Sequence, residues 1–143
     1  MARRYAVQYI DRLLAGETYH DLVELSSVMC SSPHFMLKAP DYGLPTFAFV
    51  FAETLLWFAQ AIRSGVWTYY EATPALRQRV MAAALRAHAP QGFADSYERG
   101  MLDWRDELKI HAVDVWIETN DAAANAWLRS LARENRETLL ALT

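Results

Sequence analysis

Between its glycines and prolines the chain places apolar residues three or four positions apart, and nowhere does it alternate with a period of two over the length of a strand. That pattern predicts an all-α fold, a compact single-domain bundle of six or seven helices spanning 1–143. A first helix is predicted over Arg3 to Ala15, with Tyr5, Ile10, Leu13 and Leu14 turned inward and Gly16 as its stop. Thr18 then stands where a side-chain cap is needed, three residues before Asp21, so a capping box should open a second helix that ends near Ser31. The stretch from Pro33 to Leu44 holds two prolines, Asp41 and Gly43, and reads as the longest loop, a natural place for recognition.

Pro45 suits the first position of a central helix over about 45–63. Its Phe47, Phe49, Val50, Phe51, Leu55, Leu56, Trp57, Phe58 and Ile62 cover almost the whole circumference, which a helix tolerates only when neighbours enclose it. After Gly65, the run Val66 to Glu71 fits either one more helical turn or an aromatic connector. Thr73 as cap and Pro74 at the first helical position predict a helix to about Ala89, stopped by Pro90. A short helix over Phe93 to Arg99 should close at Gly100. Asp103 is the predicted cap of the next helix, which reaches about Thr119, and Asn120 or Asp121 restarts the chain into a last one.

Composition fits this picture. With 53% hydrophobic and 22% charged residues the chain has the balance of a folded protein, and five Trp, seven Tyr and six Phe give it large rings to bury. The single cysteine, Cys30, cannot form an internal disulfide, and nothing else asks for an oxidising compartment, so the cytoplasm is the expected location. Asp11 and Arg12 interrupt the apolar run that begins at Tyr5, which favours an amphipathic helix over a secretory signal. Leu44 to Ile62 approaches membrane-spanning length, but Glu53 at its middle makes a core helix the better reading, with no membrane partner.

The net charge is only −3, yet it is unevenly placed. Between Asp95 and Asp121 eight acids stand against three bases, a local net charge of −5. Asp103, Glu107, His111, Asp114 and Glu118 are spaced so that one helix face would carry them all. Such a face could steer and hold a basic protein. The partner-binding set is therefore Asp95, Glu98, Asp103, Glu107, Asp114 and Glu118, with Trp67 and Tyr70 as aromatic anchors. The ordinary alternative for the same stripe is the solvated outer side of an amphipathic helix.

Catalytic signatures are sparse, and no catalytic residue or cofactor is assigned. His20 with Glu24, and His111 with Asp114, each put an imidazole and a carboxylate one turn apart. Together they could form a metal site if two helices met, which keeps open a metal-dependent or acid/base enzyme. Glu53 could serve such an enzyme as a proton-transfer group, although a carboxylate in that position more often pairs with an arginine or reaches a helix edge. Cys30 and His34 are separated by Pro33, which ends the helix their spacing would need. The glycines are too isolated to cradle phosphate. Arg77, Arg79 and Arg86 make only a small basic patch, so direct nucleic-acid binding is not expected. A second copy of the chain is the other partner left open.

One stretch also resembles a known family. Ala61-Ile62-Arg63-Ser64-Gly65-Val66-Trp67-Thr68-Tyr69-Tyr70-Glu71, followed by Ala83-Ala84-Leu85, is similar to part of a bacterial all-helical family of mostly unknown function that includes a DNA-mimic protein. Gly65, Trp67 and Tyr70 match its turn of glycine and two aromatics, whereas Arg63-Ser64-Gly65 replaces its usual Asn-Gly-Gly. The resemblance implies an all-α fold and an acidic surface that imitates nucleic-acid phosphates to occupy a DNA-binding protein. An immunity protein or antitoxin that neutralises a basic toxin would need the same kind of surface.

Overall fold

The computed structural model describes residues 4–143 and is all-helical, with eight helices among those residues. They are α1 (Val7–Ala15), α2 (Tyr19–Cys30), α3 (Thr46–Ser64), α4 (Trp67–Ala72), α5 (Ala75–His88), α6 (Phe93–Asp103), α7 (Glu107–Glu134) and α8 (Arg136–Leu142). The expected start of the first helix at Arg3 lies outside the described residues. None of these helices is long and apolar enough to cross a membrane.

The chain divides into two compact units, one of residues up to Ala52 together with Ala123–Thr143, the other of Glu53–Ala122. Helices α3 and α7 each contribute a segment to both. In the first unit, α1 buries Ile10, Leu13 and Leu14, and α2 buries Leu22, Leu25, Val28 and Met29. The predicted capping box is present: the Thr18 hydroxyl accepts from the Asp21 N–H, and the Asp21 carboxylate accepts from the Thr18 N–H. The Thr18 hydroxyl also donates to the Asp21 carboxylate at 2.7 Å, and this bond, with the one from the Thr18 N–H, holds that carboxyl below its usual range. Arg136 likewise grips Asp11 through two bonds of 2.7 and 3.0 Å, lowering the pKa of that carboxyl.

The loop between α2 and α3 is ordered by its own contacts. Phe35 stacks on Tyr42, and Tyr42 packs edge-on against Phe49. At Gly43, with φ of 68°, an added Cβ would lie 2.8 Å from the His34 carbonyl oxygen, so the turn requires glycine.

The second unit is built on aromatic rings. Trp57 meets Phe58, Tyr97 and Trp116, and Phe93 meets Phe58 and Trp116, with centroids between 5.0 and 6.2 Å. Such pairs add about 0.5–1.5 kcal/mol each beyond their buried area. Central helix α3 is enclosed as its sequence required, except at two positions. Leu56 and Ile62, assigned to the buried circumference, are exposed, Ile62 to 68%.

Of the two alternatives for the run after Gly65, the helical one is found, as α4. Other element boundaries differ from the sequence reading. Gly100 does not close α6 but lies inside it, where the Tyr70 ring comes so close that a Cβ would overlap it. Thr73 does not cap α5, because its hydroxyl donates backward to the Tyr69 carbonyl, while Gln78 reaches the Thr73 carbonyl from within α5. Finally, α7 continues through Asn120 and Asp121. The Asn120 side chain bonds the Trp116 carbonyl one turn back and leaves the helix unbroken; the interruption falls at Asn135 instead.

Candidate functional site

The candidate binding residues all lie in the second unit, on α4, α6 and α7. The first turn of α7 is fixed by Asp106, whose carboxylate accepts from the N–H groups of Leu108 and Lys109 at 3.0 and 3.1 Å. This corrects the role given to Asp103, which ends α6 and does not cap α7. Asp103 is therefore not part of the α7 stripe, which begins at Glu107 and runs through His111 and Asp114 to Glu118.

The six acids expected to form one face are distributed among three surface depressions. Asp95, Glu98 and Asp103 line an open groove of about 680 Å³ that also contains Arg99, Leu102, Lys109 and Ala112. Its acids are largely answered from within: Arg86 bonds Asp95 at 2.9 Å and Glu98 at 3.0 Å. Both carboxylates raise the pKa of Arg86, Glu98 the more strongly. Arg86 is thus committed to these acids, and Arg77 is buried, so the basic patch read on α5 is reduced to Arg79.

A second depression, about 440 Å³, is lined by Ala61, Ile62, Gly65, His111, Asp114, Ile117 and Glu118. Here Asp114 is a structural group. Its carboxylate accepts from the Val66 N–H at 2.9 Å and so ties the turn before α4 to α7. Glu118 is exposed, and among the described residues it forms no ion pair.

The third depression, about 370 Å³, brings together Trp67, Glu71, Trp104, Arg105, Glu107 and Ile110. Trp67 is 42% exposed and free to meet a partner. Tyr70, its expected companion, is not: it is 2% exposed and its hydroxyl donates to the Tyr97 carbonyl. The spacing of Trp67 and Tyr70, three apart on α4, puts one ring outside and the other in the core. Glu71, which the sequence reading passed over, joins the site because it lies four residues after Trp67.

The outermost side of α7 carries a feature the charge pattern concealed. Leu108, Ala112 and Val115 form an exposed apolar ridge, with Leu108 at 89% and Val115 at 46% exposure. Leu102, near the end of α6, is 85% exposed. The ridge lies beside the flank of Glu107, His111 and Glu118 on the same helix. The sequence did contain this signal, as a spacing of four and three starting at Leu108.

The histidine–carboxylate pairs do not assemble. His20 approaches Glu24 at 3.6 Å, but among the described residues no three His, Cys, Asp or Glu side chains gather where they could hold a metal. Glu24 also accepts from the Tyr9 hydroxyl at 2.8 Å, which raises the tyrosine's pKa. Glu53 is fully enclosed and accepts from the Tyr69 hydroxyl at 2.5 Å, while Tyr69 and Tyr97 share a bond of 2.7 Å. Burial, with Tyr97 and Glu53 beside it, pushes the Tyr69 phenol well above its ordinary value. Burial does the same to Tyr70. With 1% of its surface exposed and the Tyr69 hydroxyl donating to it, the Glu53 carboxylate is held within the core of its unit.

Fold and site together define an all-helical protein whose accessible chemistry, on α4 and α7, is tryptophan, carboxylates without an ion pair among the described residues, and an apolar ridge. No protein-family model, curated protein or solved structure matches this chain.

Proposed function

We propose that this chain is a protein-binding module that docks a basic protein partner on the exposed side of α7. The observation that carries this reading is the pairing of an apolar ridge with uncompensated acid on one helix. Leu108 and Val115 are exposed, and beside them neither Glu107 nor Glu118 has an ion-pair partner among the described residues. An apolar strip excludes water and supplies binding energy, and flanking charge selects and orients the partner. Asp95 and Glu98, already held by Arg86, contribute less. A DNA-binding protein or a toxin with an arginine-rich surface fits such a site, as in a DNA mimic, immunity protein or antitoxin.

The test is affinity capture from the cells that make this chain, comparing wild type with the double variant Glu107→Lys, Glu118→Lys. Both side chains are exposed, so helicity by far-UV circular dichroism should be unchanged. Like charges brought together at an interface cost enough to weaken binding at least about tenfold, and capture by the wild type should also fall with added salt. Capture that is indifferent to the reversal overturns the reading.

A further inference from the structure

The depression at Trp67 and Trp104 has a composition that the docking surface alone does not require. Two indoles, two glutamates and an isoleucine line about 370 Å³, room for one long side chain. The cation inside it, Arg105, forms no ion pair with either glutamate among the described residues. Its guanidinium carbon sits 4.3 Å from the centre of the Trp104 ring, and among the described residues neither Glu71 nor Glu107 is ion-paired. The molecule has therefore laid one of its own guanidinium groups on a wall of the cleft, with neither carboxylate drawn into an ion pair among the described residues.

Those features select one ligand chemistry. An indole face attracts a cation through its quadrupole, and a planar guanidinium gains from stacking as well. Carboxylates add fork-shaped hydrogen bonds that a guanidinium can fill and a quaternary ammonium, having no N–H, cannot. We infer that this cleft is a binding site for an arginine side chain, received between Trp67 and Glu71 on α4 and Glu107 on α7, with Arg105 as an internal competitor for the Trp104 face. The inference deepens the docking reading, and rests on it only for the assumption that the arginine arrives on a protein.

N-acetyl-arginine amide is the probe, with N-acetyl-lysine amide and tetramethylammonium chloride as controls at constant ionic strength. The readout is the indole N–H signals of Trp67 and Trp104 in 15N-correlated NMR spectra, assigned with Trp67→Phe and Trp104→Phe. Saturable shifts at those two signals are expected for the arginine amide, with a dissociation constant on the order of millimolar, and at least about threefold weaker binding of either control. Glu71→Gln should weaken arginine binding about threefold. Arg105→Ala should tighten it by a similar factor, because the competitor is gone. A purely structural Arg105 would give no tightening.

Equal affinity for all three cations, unshifted indole signals, or unchanged or weaker binding by Arg105→Ala would each overturn the inference. The titration needs no protein partner. A flat titration beside capture that responds to charge reversal removes the cleft alone; a saturable one beside indifferent capture removes the docking reading alone.

Discussion

Gly100 shows how one residue can be assigned a plausible role that its three-dimensional neighbour overrules. In sequence, a glycine following Phe93 to Arg99 resembles a helix stop, because glycine costs a helix interior about 1 kcal/mol relative to alanine. In the fold, α6 runs three residues further, and a Cβ on Gly100 would lie 2.1 Å from the Tyr70 ring. That ring is buried and anchored by its bond to the Tyr97 carbonyl at 2.9 Å, so it cannot easily withdraw. Gly100→Ala should therefore lose more from overlap than it gains in helix propensity, a net destabilisation of about 2 kcal/mol. Urea unfolding measures it; a variant as stable as wild type would mean that Tyr70 can move aside. No single-residue signal could have revealed this, since Tyr70 and Gly100 are thirty positions apart in sequence.

Elements were legible where their determinants are local. Thr18 and Asp21 are three apart, and the capping box they predict is the one that forms. The hydrophobic circumference of α3 likewise announced an enclosed helix, failing only at Leu56 and Ile62. Boundaries in the acidic region were harder, because Asp103, Asp106, Asn120 and Asp121 are all chemically able to cap and the sequence does not rank them. The fold chooses Asp106. Removing a used cap costs about 1 kcal/mol, whereas an acid at the end of a preceding helix contributes far less. Asp106→Ala should therefore lower thermal stability clearly, and Asp103→Ala should leave it within about 0.5 kcal/mol of wild type. Equal losses from the two variants would restore Asp103 as a cap.

For the whole molecule, the charge count located an acidic region but not an acidic face. Exposure and pairing decide what a carboxylate can do, and both depend on contacts between different elements, such as Arg86 of α5 with Asp95 and Glu98 of α6, and the turn at Val66 with Asp114 of α7. The same dependence gives each unit a different sensitivity to pH. In the first, Asp11 and Asp21 have pKa values lowered from the ordinary 3.8 by bonds from Arg136 and Thr18. The unfolded chain takes up those protons first, so this stabilisation is present above about pH 4 and is lost as pH falls through the folded values. In the second unit, Tyr69 and Tyr70 are held well above the ordinary 10.0 by burial. There the unfolded chain loses its protons first, so the stabilisation is complete below pH 10 and is lost as pH rises through the folded values. Tyr9, raised by its bond to Glu24, adds a lesser alkaline contribution in the first unit. Stability from urea titrations should thus form a plateau with an acid limb and an alkaline limb. Thr18→Ala should flatten the acid limb, because the Thr18 hydroxyl is the main cause of the Asp21 shift. Tyr69→Phe should flatten the alkaline limb, whatever its effect on the height of the plateau, since the slope counts only protons that differ between folded and unfolded chains. An alkaline limb of unchanged slope in Tyr69→Phe would mean that this phenol titrates alike in both states, contrary to its enclosure beside Glu53 and Tyr97.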